Sequence, residues 1–182
     1  MKVGIISDTH GVVDSWEKVY SKYLTFSDLI IHCGDVLYHG PRNPIVTGYN
    51  PKALAEKLND VKVPIVFAKG NCDAEVDQMV LNHPLQSPYT IMIISGRKIL
   101  ATHGHDIDYC ERLKLAQKFN LDVMITGHTH IPEIYKEKGT VFLNPGSIAL
   151  PKNEFPSFSL LYKEKIEIIN LQTHKIIETF NL

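Results

Sequence analysis

Seven residues of metal-ligand type follow short apolar runs along this sequence. They are Asp8, His10, Asp35, Asn71, His103, His128 and His130. Each follows a run that reads as a buried strand: VGIIS, LIIHCG, IVFAKG, ILAT or VMITG. Carboxylate, amide and imidazole groups together suit Mn, Fe, Zn or Ni. The pattern therefore predicts a metal centre, and metal-assisted hydrolysis is the chemistry that such a centre supports.

The spacing inside the motifs supports this interpretation. Asp8 and His10 are two residues apart, as are His128 and His130, so each pair can project to one side of an extended segment. Glycines stand beside the ligands in THG, CGD, KGN and TGHTH, where they allow tight turns and a close approach to an anion. No Walker loop is present, so we expect divalent ions to supply the positive charge that binds phosphate.

The elements that must position these residues alternate between strands and helices. Apolar runs alternate with the helical patterns DSWEKVYSKYLTF and PKALAEKLND, and a further helix is predicted at DYCERLKLAQKF. Loops at the carboxyl ends of parallel strands converge on one crevice, so ligands spread over the chain can meet there. From Ile131 onward short strands predict antiparallel pairing and a second sheet. Residues 38–51, rich in Pro and Gly, are predicted to form a long loop.

Composition indicates the domain type, the compartment and the partners to expect. The chain has 182 residues, 44% hydrophobic and 21% charged, which favours one globular domain over 1–182. Its net charge of -1 makes nucleic acid an unexpected partner. Three cysteines without a CxxC pair favour a reducing compartment, and the apolar start is too short for a membrane span. We expect a cytoplasmic protein with no membrane partner, and a homo-oligomer stays open.

The ligand motifs, in this order, resemble the calcineurin-like metallophosphoesterase superfamily over residues 8–130. The segments GDVLYHGPRNP, GNCDAEVDQM, THGH and NPGS extend the similarity to the small bacterial YfcE-type phosphodiesterases. This resemblance implies an α/β fold, a four-layer αββα sandwich of two mixed β-sheets flanked by helices. It also implies a small phosphodiester as the substrate.

The resemblance further implies two divalent metal ions, with Mn expected first and Zn, Fe or Ni in its place as further candidates. One ion would be held by Asp8, His10 and His130, the other by Asn71, His103 and His128, with Asp35 bridging them. A pair of ions can hold a hydroxide that attacks the phosphorus in line. His103 and Asp35 therefore count as catalytic as well as metal-binding residues.

Substrate preference is predicted from Cys72, because many phosphomonoesterases of the superfamily carry His directly after the Gly-Asn motif. The lack of a strong proton donor favours diesters over monoesters with poor leaving groups. Asp73, His39 and His105 are candidate substitutes for that donor, although His105 could equally be an exposed loop residue. Arg42 is a candidate phosphate clamp, since a guanidinium binds phosphate in a bidentate way.

The sequence leaves three competing functions open. The first is a scaffold: the retromer small subunit shares the implied fold but has lost part of the ligand pattern, whereas this chain keeps every ligand. The second and third are a phosphomonoesterase and a nuclease of the same superfamily. His32 is expected to be a hydrogen-bonded core residue, and the NPGS segment at 144–147 is expected to be a structural turn.

Overall fold

The computed structural model describes residues 1–182 as twelve strands and four α-helices. The strands are β1 Lys2–Ile6, β2 Leu29–His32, β3 Ile65–Ala68, β4 Leu85–Gln86, β5 Thr90–Ile94, β6 Arg97–Ala101, β7 Val123–Ile125, β8 Pro132–Glu137, β9 Thr140–Pro145, β10 Ser157–Tyr162, β11 Lys165–Asn170 and β12 Ile176–Asn181. The helices are α1 Val13–Val19, α2 Pro51–Asn59, α3 Glu75–Val80 and α4 Tyr109–Phe119. A π-helical turn, Tyr20–Leu24, directly continues α1.

The strands form two mixed sheets. The first has the order β12-β11-β10-β1-β2-β3-β4, and the second has the order β5-β6-β7-β9-β8. Strands β1 to β4 pair in parallel, as do β6, β7 and β9, and the remaining pairs are antiparallel. The sequence predicts antiparallel strands and a second sheet after Ile131, and β8 and β9 do lie in the second sheet, whereas β10, β11 and β12 do not. Strand β10 instead pairs with the free edge of β1, opposite β2, and brings β11 and β12 into the first sheet.

Successive side chains of each strand point to opposite faces of its sheet. The apolar side chains therefore form three separate layers. Ile5 and Ile31 point into the core between the sheets, where they meet Ile99 and Ile125 of the second sheet. The next residue along β1, Ile6, packs on the opposite face with helices α1 and α2. A third cluster packs the outer face of the second sheet against α4. The predicted four-layer αββα sandwich of two mixed sheets is therefore confirmed.

Local sequence signals account for the starts of two of the four helices, α2 and α4. The Asn50 side chain accepts the Ala53 N–H just before α2, and Pro51 is the first residue of that helix. Asp108 and Glu111 each accept the other's backbone N–H at the start of α4. Neither α3 nor β4 was predicted, since six and two residues are too few to show a period.

The parallel strands end at the edge where the predicted ligands begin. Asp8 follows β1, Asp35 follows β2, Asn71 follows β3, His103 follows β6 and His128 follows β7. The predicted long loop before α2 is confirmed, and its one β-bridge joins Val12 to Tyr49. None of the helices combines the length and apolar character that crossing a bilayer demands.

The layered core can be tested at Phe158. Phe158 is fully buried on β10, the strand that joins the two halves of the first sheet, and its ring lies 4.7 Å from that of Tyr23. Phe158→Ala should lower the free energy of unfolding by about 3–5 kcal/mol, because it removes buried area and leaves a cavity. Phe26→Ala is the control, since Phe26 is 79% exposed. Similar losses in urea unfolding for both variants would contradict this packing.

Candidate metal centre

Five of the seven predicted ligands adopt a left-handed backbone conformation. Their φ angles are 55° at Asp8, 43° at His10, 57° at Asp35, 68° at His128 and 60° at His130. The whole chain has nine non-glycine residues with positive φ, so more than half of them lie in this set. Such conformations cost on the order of 1–3 kcal/mol each and persist only where the surroundings impose them. The fold thus concentrates backbone strain at this one place.

Backbone hydrogen bonds tie the ligand loops to one another. Asp8 N–H donates to Gly34 O at 3.0 Å, His10 N–H donates to Asp35 O at 2.9 Å, and Gly127 N–H donates to His103 O at 3.1 Å. The loops after β2 and β3 also touch, because a Cβ at Gly70 would collide with the carboxylate and backbone nitrogen of Asp35. Only glycine fits at position 70 without displacing a predicted ligand.

Three histidines direct the same ring nitrogen into the site. The Nδ1 atoms of His10 and His103 lie 2.8 Å and 2.7 Å from the carbonyl oxygens of Tyr38 and Cys33, and Nδ1 of His130 bonds to the carbonyl of Leu150. A carbonyl can only accept, so each Nδ1 carries a proton and donates it. The lone pair of each neutral ring is therefore on Nε2, the arrangement that metal-binding histidines use.

The Nε2 atoms and the carboxylates converge. Nε2 of His130 lies 3.1 Å from Oδ1 of Asp8, and Nε2 of His103 lies 3.3 Å from Oδ2 of Asp35. Nε2 of His10 is 3.6 Å from both carboxylates and 3.2 Å from Nε2 of His130. Two lone pairs at that separation repel unless positive charge lies between them. The donor set therefore fits a cation.

Three groups of side chains have ligand atoms close enough to hold a metal ion. They are Asp8 with His10 and His130, Asp8 with Asp35 and His103, and His10 with Asp35 and Cys72. The first matches one of the two predicted sets. Asn71 Oδ1 lies 3.2 Å from His103 Nε2, and the His128 ring centre is 5.1 Å from that of His103. All seven predicted ligands thus lie in one cluster.

The buried carboxylates of the cluster also require nearby positive charge. Asp8 is fully buried, and its Oδ1 has no hydrogen-bond partner. Burial alone would raise the pKa of Asp8, but His10, His130 and His103 outweigh it and lower that pKa. Burial likewise lowers the pKa of His103, yet Asp35 and Asp8 raise it to about 9. Without an ion, the raised pKa values of His10 and His103 favour protons on these two rings, which supply positive charge beside the carboxylates.

Asp73 holds two of the ligand loops together. Its carboxylate accepts the backbone N–H groups of Asp35, Val36 and Gly70 at 2.9, 2.7 and 2.7 Å. Burial raises the pKa of Asp73 to about 6, opposed by these N–H donors. The sequence suggested Asp73 as a substitute proton donor. In the structure both of its oxygens are engaged by backbone, a geometry that suits positioning rather than proton transfer.

The 144–147 segment also contacts the centre. The Ser147 hydroxyl donates to the carbonyl of Asp8 at 2.8 Å and accepts the N–H groups of Ala149 and Leu150. Asn144 donates to the carbonyl of Gly127 at 2.7 Å. The segment is structural, but it is not the turn that the sequence predicted, because Asn144 and Pro145 are the last residues of β9. It acts through hydrogen bonds to ligand-bearing segments. His32 is buried and bonded to Thr9 and to the N–H of Gly34, as expected of a core histidine.

A cavity of about 600 Å³ opens beside the cluster. Arg42 and Cys72 line it together with Asp35, Asn71, His128 and His130, as does Lys152, which the sequence did not single out. His39 and His105 are absent from its wall. His39 lies 3.2 Å from the Tyr49 hydroxyl through Nδ1, and His105 is an exposed residue whose ring centre is 5.5 Å from that of His103. Lys152 carried no motif signal, because only the folded chain brings residue 152 to this cavity.

Comparison with known proteins supplies the family. Residues 1–165 match the model of the calcineurin-like phosphoesterase superfamily domain. The phosphodiesterase YfcE of Escherichia coli is 36% identical over 180 residues, covering 97% of this chain and 96% of the relative. A probable metallophosphoesterase of Methanocaldococcus jannaschii is 35% identical over 175 residues, covering 92% of this chain and 79% of the relative.

Solved structures agree with that assignment. The structure of E. coli YfcE, described as a phosphoesterase, aligns with a TM-score of 0.88 at 31% identity, covering 100% of this chain and 99% of that one. Vacuolar protein sorting 29 of Cryptosporidium parvum aligns at 0.71 with 19% identity and covers 100% of this chain and 98% of that one, a likeness of fold alone. The chain belongs to the calcineurin-like phosphoesterase superfamily.

Proposed function

We propose that this chain is a metal-dependent phosphodiesterase with two divalent ions held by the seven clustered residues. The observation that carries the proposal is the convergence of three Nε2 lone pairs on the buried carboxylates Asp8 and Asp35. Asp8, His10 and His130 would hold one ion and Asn71, His103 and His128 the other, with Asp35 shared. When bound, the ions supply Lewis acidity toward the phosphoryl oxygens and lower the pKa of a water molecule.

The chain's own residues determine which esters suit the site. Cys72 lines the cavity next to Asn71, and burial and the nearby Asp35 carboxylate raise the pKa of its thiol to about 12. A thiol is a weak hydrogen-bond donor, so the leaving group receives little help. Arg42 is exposed in the cavity wall, where its guanidinium can bind phosphoryl oxygens. We therefore favour diesters, and aryl esters with good leaving groups, over monoesters.

A scaffold role of the kind considered for the retromer small subunit fits the site less well. A scaffold gains nothing from seven clustered metal ligands and from backbone strain at five of them. Fold similarity to vacuolar protein sorting 29 at 19% identity carries no functional argument. A nuclease activity finds no support in the net charge of -1.

The first prediction concerns the reaction and its metal. With Mn, the protein should hydrolyse bis(4-nitrophenyl) phosphate faster than 4-nitrophenyl phosphate, and EDTA should abolish both activities. Asp35→Asn should lower diester turnover by more than about 100-fold, because it removes the shared carboxylate. Asp106→Asn, a change at an exposed residue, is the control. Parallel assays with Zn, Fe and Ni identify the preferred metal, and equal inactivity on both esters with every metal would refute the proposal.

The second prediction concerns Cys72. Cys72→His places an imidazole where many relatives that cleave monoesters carry one, so the ratio of monoester to diester turnover should rise about tenfold through general acid catalysis. The same substitution at Cys110, an exposed residue of α4, should leave the ratio unchanged. A ratio that stays at the wild-type value in Cys72→His would show that position 72 does not set the preference.

The third prediction separates positioning from proton donation at Asp73. Asp73→Asn presents an amide N–H to backbone donors and should weaken Mn binding about 10- to 100-fold, as when partners of metal ligands are lost. Asp77→Asn is the matched control, because Asp77 is buried but accepts only the N–H of Ala74. Calorimetric Mn titration of folded protein measures the effect. If Asp73→Asn binds Mn with wild-type affinity but turns over the diester more slowly, Asp73 would instead be a proton donor.

A further inference from the structure

The cavity beside the metal cluster carries more positive charge than one phosphodiester uses. Arg42 and Lys152 both line its wall, and Asp35 is the one carboxylate among its twelve lining residues. Asp35 is assigned to the metal ions in the proposed function, on which this inference rests. Two cations therefore remain to face the ligand. A simple diester contributes a single negative charge, and the metal ions already attract that charge.

Neither cation is engaged elsewhere in the protein. The ion pairs that lysines form involve Lys57, Lys69, Lys163 and Lys165, and no carboxylate pairs with Lys152 or Arg42. Both residues are exposed. A cation that lines a cavity and has no ion pair within the protein is available to an anionic ligand. Positive charge on the cavity wall therefore favours ligands that carry negative charge at the same place.

The backbone around Lys152 is fixed to the metal cluster. Its N–H donates to the carbonyl of His130 at 3.3 Å, and two residues earlier the carbonyl of Leu150 accepts from His130 Nδ1. The segment is further held by Ser147, which bonds to the carbonyl of Asp8. The base of the Lys152 side chain therefore has a defined position relative to the ions, as a specificity residue requires.

The size of the cavity also favours a ligand larger than a single phosphoryl group. Its volume of about 600 Å³ lies well within the range of sites for whole small molecules and exceeds the needs of one phosphoryl group. We propose that Lys152 binds a second phosphate on the substrate, with Arg42 left to the phosphoryl group that is cleaved. The preferred substrate is then a nucleotide-sized phosphodiester that carries an additional phosphate away from the bond that is cleaved.

A matched pair of chromogenic diesters tests this assignment. One is a nucleoside 5′-(4-nitrophenyl phosphate) with a free 3′-hydroxyl, and the other carries a 3′-phosphate. Wild-type protein with Mn should show a lower KM for the phosphorylated ester. Lys152→Met should raise that KM about fivefold to tenfold and leave kcat and the KM of the plain ester within about twofold, as expected for one charged contact at an exposed site.

Two further variants test whether the effect depends on positive charge at position 152 and not on the loss of any surface lysine. Lys152→Arg keeps the charge and should retain most of the preference. Lys136→Met removes the same charge from an exposed position of β8, outside this cavity, and should leave both KM values unchanged. An equal loss on both esters in Lys152→Met would place the lysine on the cleaved phosphate and overturn the proposal. An unchanged KM for the phosphorylated ester would also overturn it.

A binding measurement keeps this inference distinct from the proposed activity. Calorimetry with Mn compares a nucleoside 3′,5′-bisphosphate with the 5′-monophosphate, and the wild type should bind the bisphosphate more tightly, with Lys152→Met losing that difference. If neither diester is hydrolysed, the proposed function fails while this arm still decides the role of Lys152. Equal wild-type affinity for the two nucleotides would refute the second-phosphate site.

Discussion

Asp8 places a carboxylate in the loop directly after β1, with no exposed surface and no hydrogen-bond partner for Oδ1. An unpaired ionised carboxylate in such a place costs several kcal/mol, roughly, unless positive charge compensates it. The Nε2 atoms of His130, His10 and His103 approach this oxygen at 3.1, 3.6 and 4.0 Å. Two divalent ions held as proposed would compensate the carboxylate and accept the three lone pairs, those of His10 and His130 on one ion and that of His103 on the other.

Holding these groups together requires the surrounding fold to supply the stability. The ligand loops adopt left-handed backbone conformations, and each emerges from a strand buried between or beneath apolar layers. Asp73 and Ser147 then connect the loops through backbone N–H and carbonyl groups. The rigid part of the site is thus the metal cluster itself. Its geometry follows from the sheets rather than from the conformation of any single loop.

The substrate side of the site is constructed differently. Arg42, Asn71 and Lys152 are exposed, and Arg42 and Lys152 reach the cavity from the long loop before α2 and from the segment after β9. Long cationic side chains bind anions with little need for a preformed pocket. The same buried centre can therefore serve different esters when residues at the cavity wall change. In the proposed function, separate parts of this molecule therefore carry the reaction class and the substrate choice.

The sequence by itself determined the strands other than β4, the longer helices and the types of the candidate ligands, because burial on a sheet and helical periodicity leave local patterns. It also predicted that the candidate ligands directly follow β1, β2, β3, β6 and β7. Tertiary structure alone decided that β10 pairs with β1, that Asp73 joins two ligand loops, and that Lys152 reaches the cavity. Those contacts join residues far apart along the chain or use backbone atoms, and neither kind leaves a periodic signal in the order of amino acids.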